Sequence, residues 1–93
     1  MVNYSKDPNA SLPYVVDWTA WLGTDTISTS QWIIEGPDAV LTKSNEEILT
    51  GNKKTSVVLA GGTLSLSYYV TNRITTALGY VDDRTFSVTV NQA

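Results

Sequence analysis

Two stretches in the second half of the sequence alternate between apolar and polar residues, and this alternation constrains the fold more than any other feature. The apolar positions of the first stretch are Leu64, Leu66, Tyr68, Val70 and, beyond Asn72, Ile74. Those of the second stretch are Phe86, Val88 and Val90. A period of two places alternate side chains on opposite faces of a strand. The pattern therefore predicts strands over residues 64–74 and 86–90, paired as an antiparallel hairpin across the turn at 77–79.

Shorter strands are expected before this hairpin, because β-branched and aromatic residues recur between turn residues. The candidates are residues 14–18, 27–35, 39–42, 48–49 and 55–59, with a turn or single helical turn over 19–23. In 27–35, Ile27 has the opposite parity to Trp32 and Ile34, so one bulge would turn all three inward. The pattern predicts an all-β fold, an immunoglobulin-like antiparallel β-sandwich of six to seven strands, with a small barrel as the alternative.

The chain has 93 residues, which is enough for one domain. Residues 1–12 contain Pro8 and few apolar side chains, so we expect an extended N-terminal arm there. Residues 13–93 are then expected to form a single β-sandwich domain. With 42% hydrophobic residues, the chain is too apolar to be disordered.

Large apolar side chains supply the expected core. The residues assigned to it are Trp18, Trp32, Tyr68, Val70, Phe86 and Val88. Three tryptophans in so short a chain could instead form a stacking platform for sugar rings or bases. We favour the core for all three, Trp21 included, because a domain without disulfides needs large buried aromatics.

The sequence provides no recognisable catalytic or metal-binding set. It contains neither histidine nor cysteine, which removes the commonest general base and the usual zinc ligands. The adjacent carboxylates at 46–47 and 82–83 would point to opposite faces of a strand and would not converge on one substrate atom. The aspartates do not follow the spacing of a calcium loop. We expect a protein that is not an enzyme and that has no catalytic residue, cofactor or metal.

Charge and hydropathy argue against two further classes of partner. Six lysine and arginine residues face nine aspartate and glutamate residues, which gives a net charge of −3. The basic residues are dispersed, whereas a nucleic-acid surface needs a basic patch or stripe. No apolar run approaches the ~20 residues of a transmembrane helix. We expect neither nucleic acid nor membrane as a partner.

A diffuse pattern of tryptophans, glycines and tyrosines covers residues 6–90. Its first half consists of Lys6-Asp7-Pro8-Asn9, Tyr14, Asp17-Trp18, Trp21-Leu22, Asp25-Thr26-Ile27 and Trp32. Its second half consists of Val57, Leu59, Gly61-Gly62, Tyr68, Val70, Asn72, Ile74-Thr75-Thr76, Gly79, Asp83-Arg84, Val88 and Val90. This pattern resembles a family of small tailed-bacteriophage and prophage virion proteins, described as fiber–tail adaptor or head–tail-region proteins.

The resemblance implies an immunoglobulin-like structural module of the virion, made in the cytoplasm of the bacterial host. It implies that the module bridges portal, tail or fiber proteins and is present in multiple copies. Two alternatives remain, a capsid decoration protein and a carbohydrate-binding module that would use Trp21 and the tyrosines.

Exposed apolar residues are the candidates for contact with those partners. We expect docking through the N-terminal arm and through sheet edges, where unpaired backbone groups allow strand addition. The candidate partner-binding residues are Val2, Tyr4 and Leu12 of the arm, together with Tyr69 and Tyr80.

Overall fold

The computed structural model describes residues 2–92 of the protein, and strands make up most of it. In chain order the strands are β1 (Asn3–Lys6), β2 (Ser11–Asp17), β3 (Ile27–Glu35), β4 (Leu41–Ile48), β5 (Lys54–Gly61), β6 (Ser67–Thr76) and β7 (Val81–Val90). One helical turn, α1 (Thr19–Leu22), lies between β2 and β3. The molecule measures 41 × 21 × 19 Å.

The strands form two packed sheets, which confirms the predicted β-sandwich. One sheet has the order β1-β7-β6-β3, and the other has the order β2-β5-β4. β6 and β7 form the predicted antiparallel hairpin. β1, however, pairs with β7 in parallel, so the sandwich is not antiparallel throughout.

The strand order is immunoglobulin-like, since the third, sixth and seventh strands share one sheet and the second, fourth and fifth share the other. Trp32 occupies the buried tryptophan position of the third strand. Near the start of β6, the Tyr68 hydroxyl accepts a hydrogen bond from the Thr63 N–H at 2.9 Å, as in a tyrosine corner. Val70, two residues later, stands where antibody domains carry a disulfide cysteine. Apolar packing replaces the covalent link here.

The main core lies between the two sheets. Its buried members are Tyr14, Trp32, Leu41, Val57, Leu59, Tyr68, Val70, Phe86, Val88 and Val90. A second cluster fills the end of the sandwich near α1 and consists of Trp18, Leu22, Ile27 and Ile74. The structure therefore buries all six residues assigned to the core and divides them between two clusters.

A buried amide connects the second cluster to both sheets. Asn72 of β6 is fully buried, and its Oδ1 accepts hydrogen bonds from Trp18 Nε1 at 2.9 Å and from the Thr55 hydroxyl at 2.6 Å. Its Nδ2 donates to the Ser30 hydroxyl at 2.9 Å and to the Gln31 carbonyl at 3.2 Å. Asn72 thus continues the inward parity of β6 as a satisfied polar residue.

The bulge predicted in the second long strand is present. The register of β3 against β6 shifts between Ile27 and Thr29. As a result, Ile27 and Trp32 are both buried although their parities differ, and Ile34 packs partly buried against the main core.

The predicted start of β6 is wrong by three residues. Leu64 and Ser65 form a turn, in which Ser65 has φ +72° and the Leu66 N–H donates to the Thr63 carbonyl at 3.1 Å. The strand begins at Ser67, and Leu64 is exposed. The apolar alternation continues through this turn, so the sequence pattern could not reveal the boundary.

The region predicted as strands 39–42 and 48–49 is a single strand. β4 runs over Leu41–Ile48, with a bulge between Ser44 and Glu47 and with Asn45 at φ +50°. Its middle residues are exposed, because β4 is the edge strand of its sheet. An edge strand that is polar on both faces has no alternation to detect.

The predicted boundary between an arm and a domain has no counterpart in the structure. Residues 3–6 form β1 within the four-stranded sheet, and β2 begins at Ser11, before the expected domain start at residue 13. Lys6 of the expected arm is only 2% exposed. The prolines indicated extended backbone, but they could not show that residues 3–6 pair with a strand 84 residues away in the sequence, as Asn3 does with Ser87.

Candidate functional site

A groove opens on the side of the sandwich where β2 faces β7 and the beginning of β1. Its volume is about 210 Å³, and it is lined by Val2, Tyr4, Val15, Val16, Asp17, Arg84, Thr85 and Phe86. Because β1 pairs only with residues 87–90 of β7, the two sheets are not closed by a strand on this side at residues 84–86. The groove is thus a consequence of the short β1. We call these eight residues the lateral groove.

Tyr4 and Phe86 form the aromatic wall of the lateral groove, and Tyr14 packs behind them. The Tyr4 ring lies edge-on to Tyr14, with centroids 5.1 Å apart, and edge-on to Phe86, with centroids 5.3 Å apart. Tyr14 and Phe86 stack on each other at 5.7 Å. Burial raises the pKa of Tyr14 above its ordinary value, with a smaller effect from the nearby Tyr4. Edge-to-face pairs hold Tyr4 in place while part of its ring stays exposed.

Arg84 closes the groove at the end nearest α1. Its guanidinium carbon lies 4.4 Å from the centroid of the Trp18 ring, and its Nη1 donates to the Asp17 carbonyl at 2.6 Å. Arg84 therefore links β7 to β2 across the open side. The Asp17 carboxylate accepts hydrogen bonds from the Thr19 hydroxyl and N–H, and these bonds lower its pKa, with Lys54 and Arg84 adding a smaller effect. Both charged groups at this end are already engaged within the chain.

The sheet edges that were expected to dock partners carry features that discourage strand addition. On β3 the Trp32 carbonyl accepts a hydrogen bond from Lys43 Nζ at 2.6 Å. On β2, Pro13 has no N–H to donate. On β7 beyond β1, the Asp83 N–H donates to the Asp82 carboxylate at 2.8 Å. With the bulge and charges of β4, these features are typical of protected edges. The lateral groove is therefore a better candidate for docking than these edges.

The structure brings together only some of the candidate partner-binding residues. All five are exposed, and Val2 and Tyr4 line the lateral groove. Leu12 lies on β2 two residues before Tyr14, outside the groove lining. Tyr69 lies on the outer face of the four-stranded sheet, opposite Ser87.

Tyr80 precedes β7 at the other end of the hairpin, about seven residues or ~23 Å along the strand from the level of Tyr69. The tyrosines of the hairpin therefore do not form one surface.

Sequence reasoning missed Val15, Val16 and Arg84 as members of the groove. Tyr14-Val15-Val16 is a run of three apolar residues in a strand that has one buried face. Such a run must direct at least one apolar side chain outward, and Val15 is indeed 51% exposed. That signal was available in the sequence. Nothing in the sequence pattern indicated that Arg84 packs on Trp18.

The expectation that all three tryptophans belong to the core is wrong for Trp21. Trp18 is fully buried, whereas Trp21 is 42% exposed and lies edge-on against Trp18 with centroids 5.5 Å apart. Trp18 precedes α1 and points into the sandwich, whereas Trp21 lies within α1, where Leu22 is the buried residue.

Two further observations concern the part of the chain that the structure describes. Within residues 2–92, no three potential metal ligands come together as a cluster. Over the same residues, no helix reaches the length and apolar character needed to cross a bilayer.

Taken together, the fold and the groove define a small immunoglobulin-like β-sandwich module with a largely apolar groove on one open side. A family model described as Podophage GP4 fiber-tail adaptor protein gp77 matches residues 6–89, nearly the whole chain. The chain belongs to this family of bacteriophage fiber–tail adaptor proteins, as its tryptophan and glycine pattern indicated. No curated protein matches the chain.

Proposed function

We propose that the protein is a non-enzymatic structural component of the virion that joins a fiber to the tail by contacting other virion proteins through the lateral groove. We further propose that several copies act around the tail, that the protein is made in the host cytoplasm, and that its partners do not include nucleic acid. The membership of the chain in a fiber–tail adaptor family supports this function.

The observation that supports docking at the groove is its exposed apolar lining. Val2 and Val15 are more than half exposed, and they flank the aromatic wall formed by Tyr4 and Phe86. Apolar side chains grouped around a concavity favour a partner that inserts an apolar side chain, because burial removes both surfaces from water. A volume of about 210 Å³ is suited to one or two such side chains.

The test compares two exposed valines. Val15 lines the groove and is 51% exposed, whereas Val40 lies before β4, is 49% exposed and is not part of the groove lining. Val15→Lys and Val40→Lys add the same charge at positions of nearly the same exposure. Each variant is supplied during infection in place of the wild-type chain, and its amount in purified particles is measured by mass spectrometry, with circular dichroism and Tm as folding checks.

We expect Val15→Lys to lower incorporation into particles at least tenfold while Tm stays close to that of Val40→Lys. Normal incorporation of both variants would overturn the groove as the docking site. Wild-type chain found on capsids that lack tails would support the decoration alternative instead. Quenching of Trp21 fluorescence by oligosaccharides would support the carbohydrate-binding alternative.

A further inference from the structure

β1 makes the shortest strand pairing of the sandwich over residues 2–92. β1 has four residues, whereas the other six described strands have seven to ten. It is an edge strand with β7 as its one neighbour, and the pairing is parallel, which is slightly less stable per residue than antiparallel pairing. β1 can therefore separate from β7 without breaking any other strand pair.

Two side chains of β1, Tyr4 and Lys6, pack against Tyr14, Phe86 and the Gly61 carbonyl, and we call the place that they occupy the slot. Tyr4 meets Tyr14 and Phe86, and Lys6 is buried with its Nζ donating to the Gly61 carbonyl at 2.7 Å and to the Asp7 carbonyl at 2.9 Å. Burial lowers the pKa of Lys6 despite the nearby Asp7 carboxylate. The slot thus accepts an aromatic residue followed two residues later by a cation.

This combination occurs once in the sequence. No other aromatic residue of the chain is followed two residues later by lysine or arginine. Among segments of this protein, only residues 3–6 provide both the ring and the ammonium group that the slot takes. The structure shows residues 3–6 filling this slot, so the same residues of a second copy of the chain would also fit it.

A short turn connects β1 to β2, and this turn has to open if β1 is to leave its place on β7. The turn over residues 7–10 is held by the Asn9 N–H donating to Asp7 Oδ1 at 2.8 Å and by the Ala10 N–H donating to the Asp7 carbonyl at 3.0 Å. Pro8 favours extended backbone in the residue before it. Fully extended, these four residues span about 13 Å, enough to carry β1 toward a neighbouring molecule.

We propose that β1 is an exchangeable strand, and that β1 of a second copy of this chain can occupy the slot on β7 and so link neighbouring copies. Exchange replaces each contact of β1 within a chain by the same contact between two chains. The balance between monomer and exchanged dimer therefore depends on protein concentration and on the free energy needed to open the turn. The lateral groove would then be lined by two chains, because Val2 and Tyr4 would come from the neighbour. This inference concerns copies of the same chain and does not depend on the proposed contacts with fiber or tail.

A pair of engineered cysteines can distinguish the exchanged from the unexchanged form. Asn3 and Ser87 are ladder partners whose side chains are 2.8 Å apart, and the chain has no native cysteine. With Asn3→Cys and Ser87→Cys, a disulfide forms within one chain if β1 pairs with β7 of its own chain. The disulfide forms between two chains if β1 is exchanged. The matched control is Thr71→Cys with Thr85→Cys, whose hydroxyls are also 2.8 Å apart but lie within the β6–β7 hairpin.

Both variants are oxidised over a range of protein concentrations and separated on non-reducing gels, and free thiols are counted to verify oxidation. We expect covalent dimers and larger species to increase with concentration for the 3/87 pair, while the 71/85 pair stays monomeric. We also expect the wild-type chain to show a concentration-dependent dimer by light scattering. Exchange is excluded if the 3/87 pair gives only cross-linked monomers or if the wild-type chain remains monomeric up to about 1 mM, the range of weak association.

Discussion

Asn72 points into the protein from β6, and its side chain reaches three other segments of the chain. Its partners lie on β3, on β5 and at Trp18, before α1. Trp18 Nε1 is satisfied in this way, whereas the indole N–H of Trp32 has no hydrogen-bond partner within the described residues. The Asn72 amide therefore satisfies the indole N–H of Trp18, whereas the indole of Trp32 is held by the apolar side chains around it.

Asn72→Ala should destabilise the protein strongly. It leaves the Trp18 N–H and the Thr55 hydroxyl buried without their acceptor, at about 1–3 kcal/mol each, and also creates a cavity. We expect a loss of roughly 3–5 kcal/mol in the free energy of unfolding, measured by urea denaturation. The control is Ser67→Ala on the same strand, whose exposed hydroxyl should contribute less than about 0.5 kcal/mol. Equal effects of the two changes would contradict this role of Asn72.

At the scale of the element, β1 shows how a segment with little local signal becomes part of the fold. Val2 provides its carbonyl to the Ser87 N–H at 2.9 Å, and Lys6 provides its carbonyl to the Asn91 N–H at 2.8 Å. The Tyr4 ring packs against Tyr14 and Phe86 of the main core, and the buried Lys6 side chain donates to the Gly61 carbonyl. A strand that is short and polar by itself is stabilised by the ladder and the aromatic pocket that β7 and β2 present.

Deleting residues 1–6 should lower Tm, in contrast to what a detached arm would predict. The deletion removes the Lys6 bond to Gly61 and the two edge-to-face contacts of Tyr4. Each edge-to-face contact contributes about 0.5–1.5 kcal/mol, and a hydrogen bond to a charged group about 1.5–3 kcal/mol. For a domain of this size we expect a decrease of at least ~8 °C in a calorimetric scan.

Tyr4→Ala provides a graded version of the same test. It should lower Tm more than Tyr69→Ala, since Tyr69 is exposed on the outer sheet face. An unchanged Tm after the deletion would mean that β1 adds nothing to stability.

At the scale of the whole molecule, several aspartate carboxylates accept hydrogen bonds that link separate parts of the fold. Hydrogen bonds from the hydroxyls of Tyr68 and Thr63 and from the Val40 N–H lower the pKa of Asp38. Thr76 lowers the pKa of Asp25, and Arg73 lowers that of Asp83. Asp17, Asp25 and Asp38 bind residues next to turns and strand ends, whereas Asp83 forms a cross-strand ion pair with Arg73 in the β6–β7 hairpin. No cysteine is present to provide a covalent link in their place.

These shifts predict acid sensitivity with a definite direction. A carboxylate whose pKa is lower in the folded state than in the unfolded state stabilises the fold above its unfolded pKa, near 3.9. That stability is lost as the pH falls through the folded pKa. We expect the urea midpoint to be nearly constant between pH 7 and about pH 5 and to decrease below about pH 4.

Asp38→Asn tests the carboxylate that accepts hydrogen bonds from Tyr68, Thr63 and Val40. This variant should be less stable than the wild type at pH 7, and the difference should shrink as the pH falls below about 4. A difference that is the same at every pH would show that ionisation of Asp38 does not contribute to folding.

The sequence by itself determined the all-β class, the β6–β7 hairpin, the bulge in β3 and six of the buried core side chains. Most of these follow from the period-two placement of apolar residues. The same reasoning extended β6 through Leu64, divided β4 in two and treated residues 1–12 as an arm. In these places the local pattern is misleading or absent.

Only the tertiary structure decided the position of β1, the exposure of Trp21 and the lateral groove. Each of these depends on contacts between residues far apart in the chain, such as Asn3 with Ser87 or Trp18 with Arg84. Whether a side chain is buried at such a place depends on which other segment covers it. Hydrophobic periodicity reports which face of a strand is apolar, but it does not identify the segment that packs against that face.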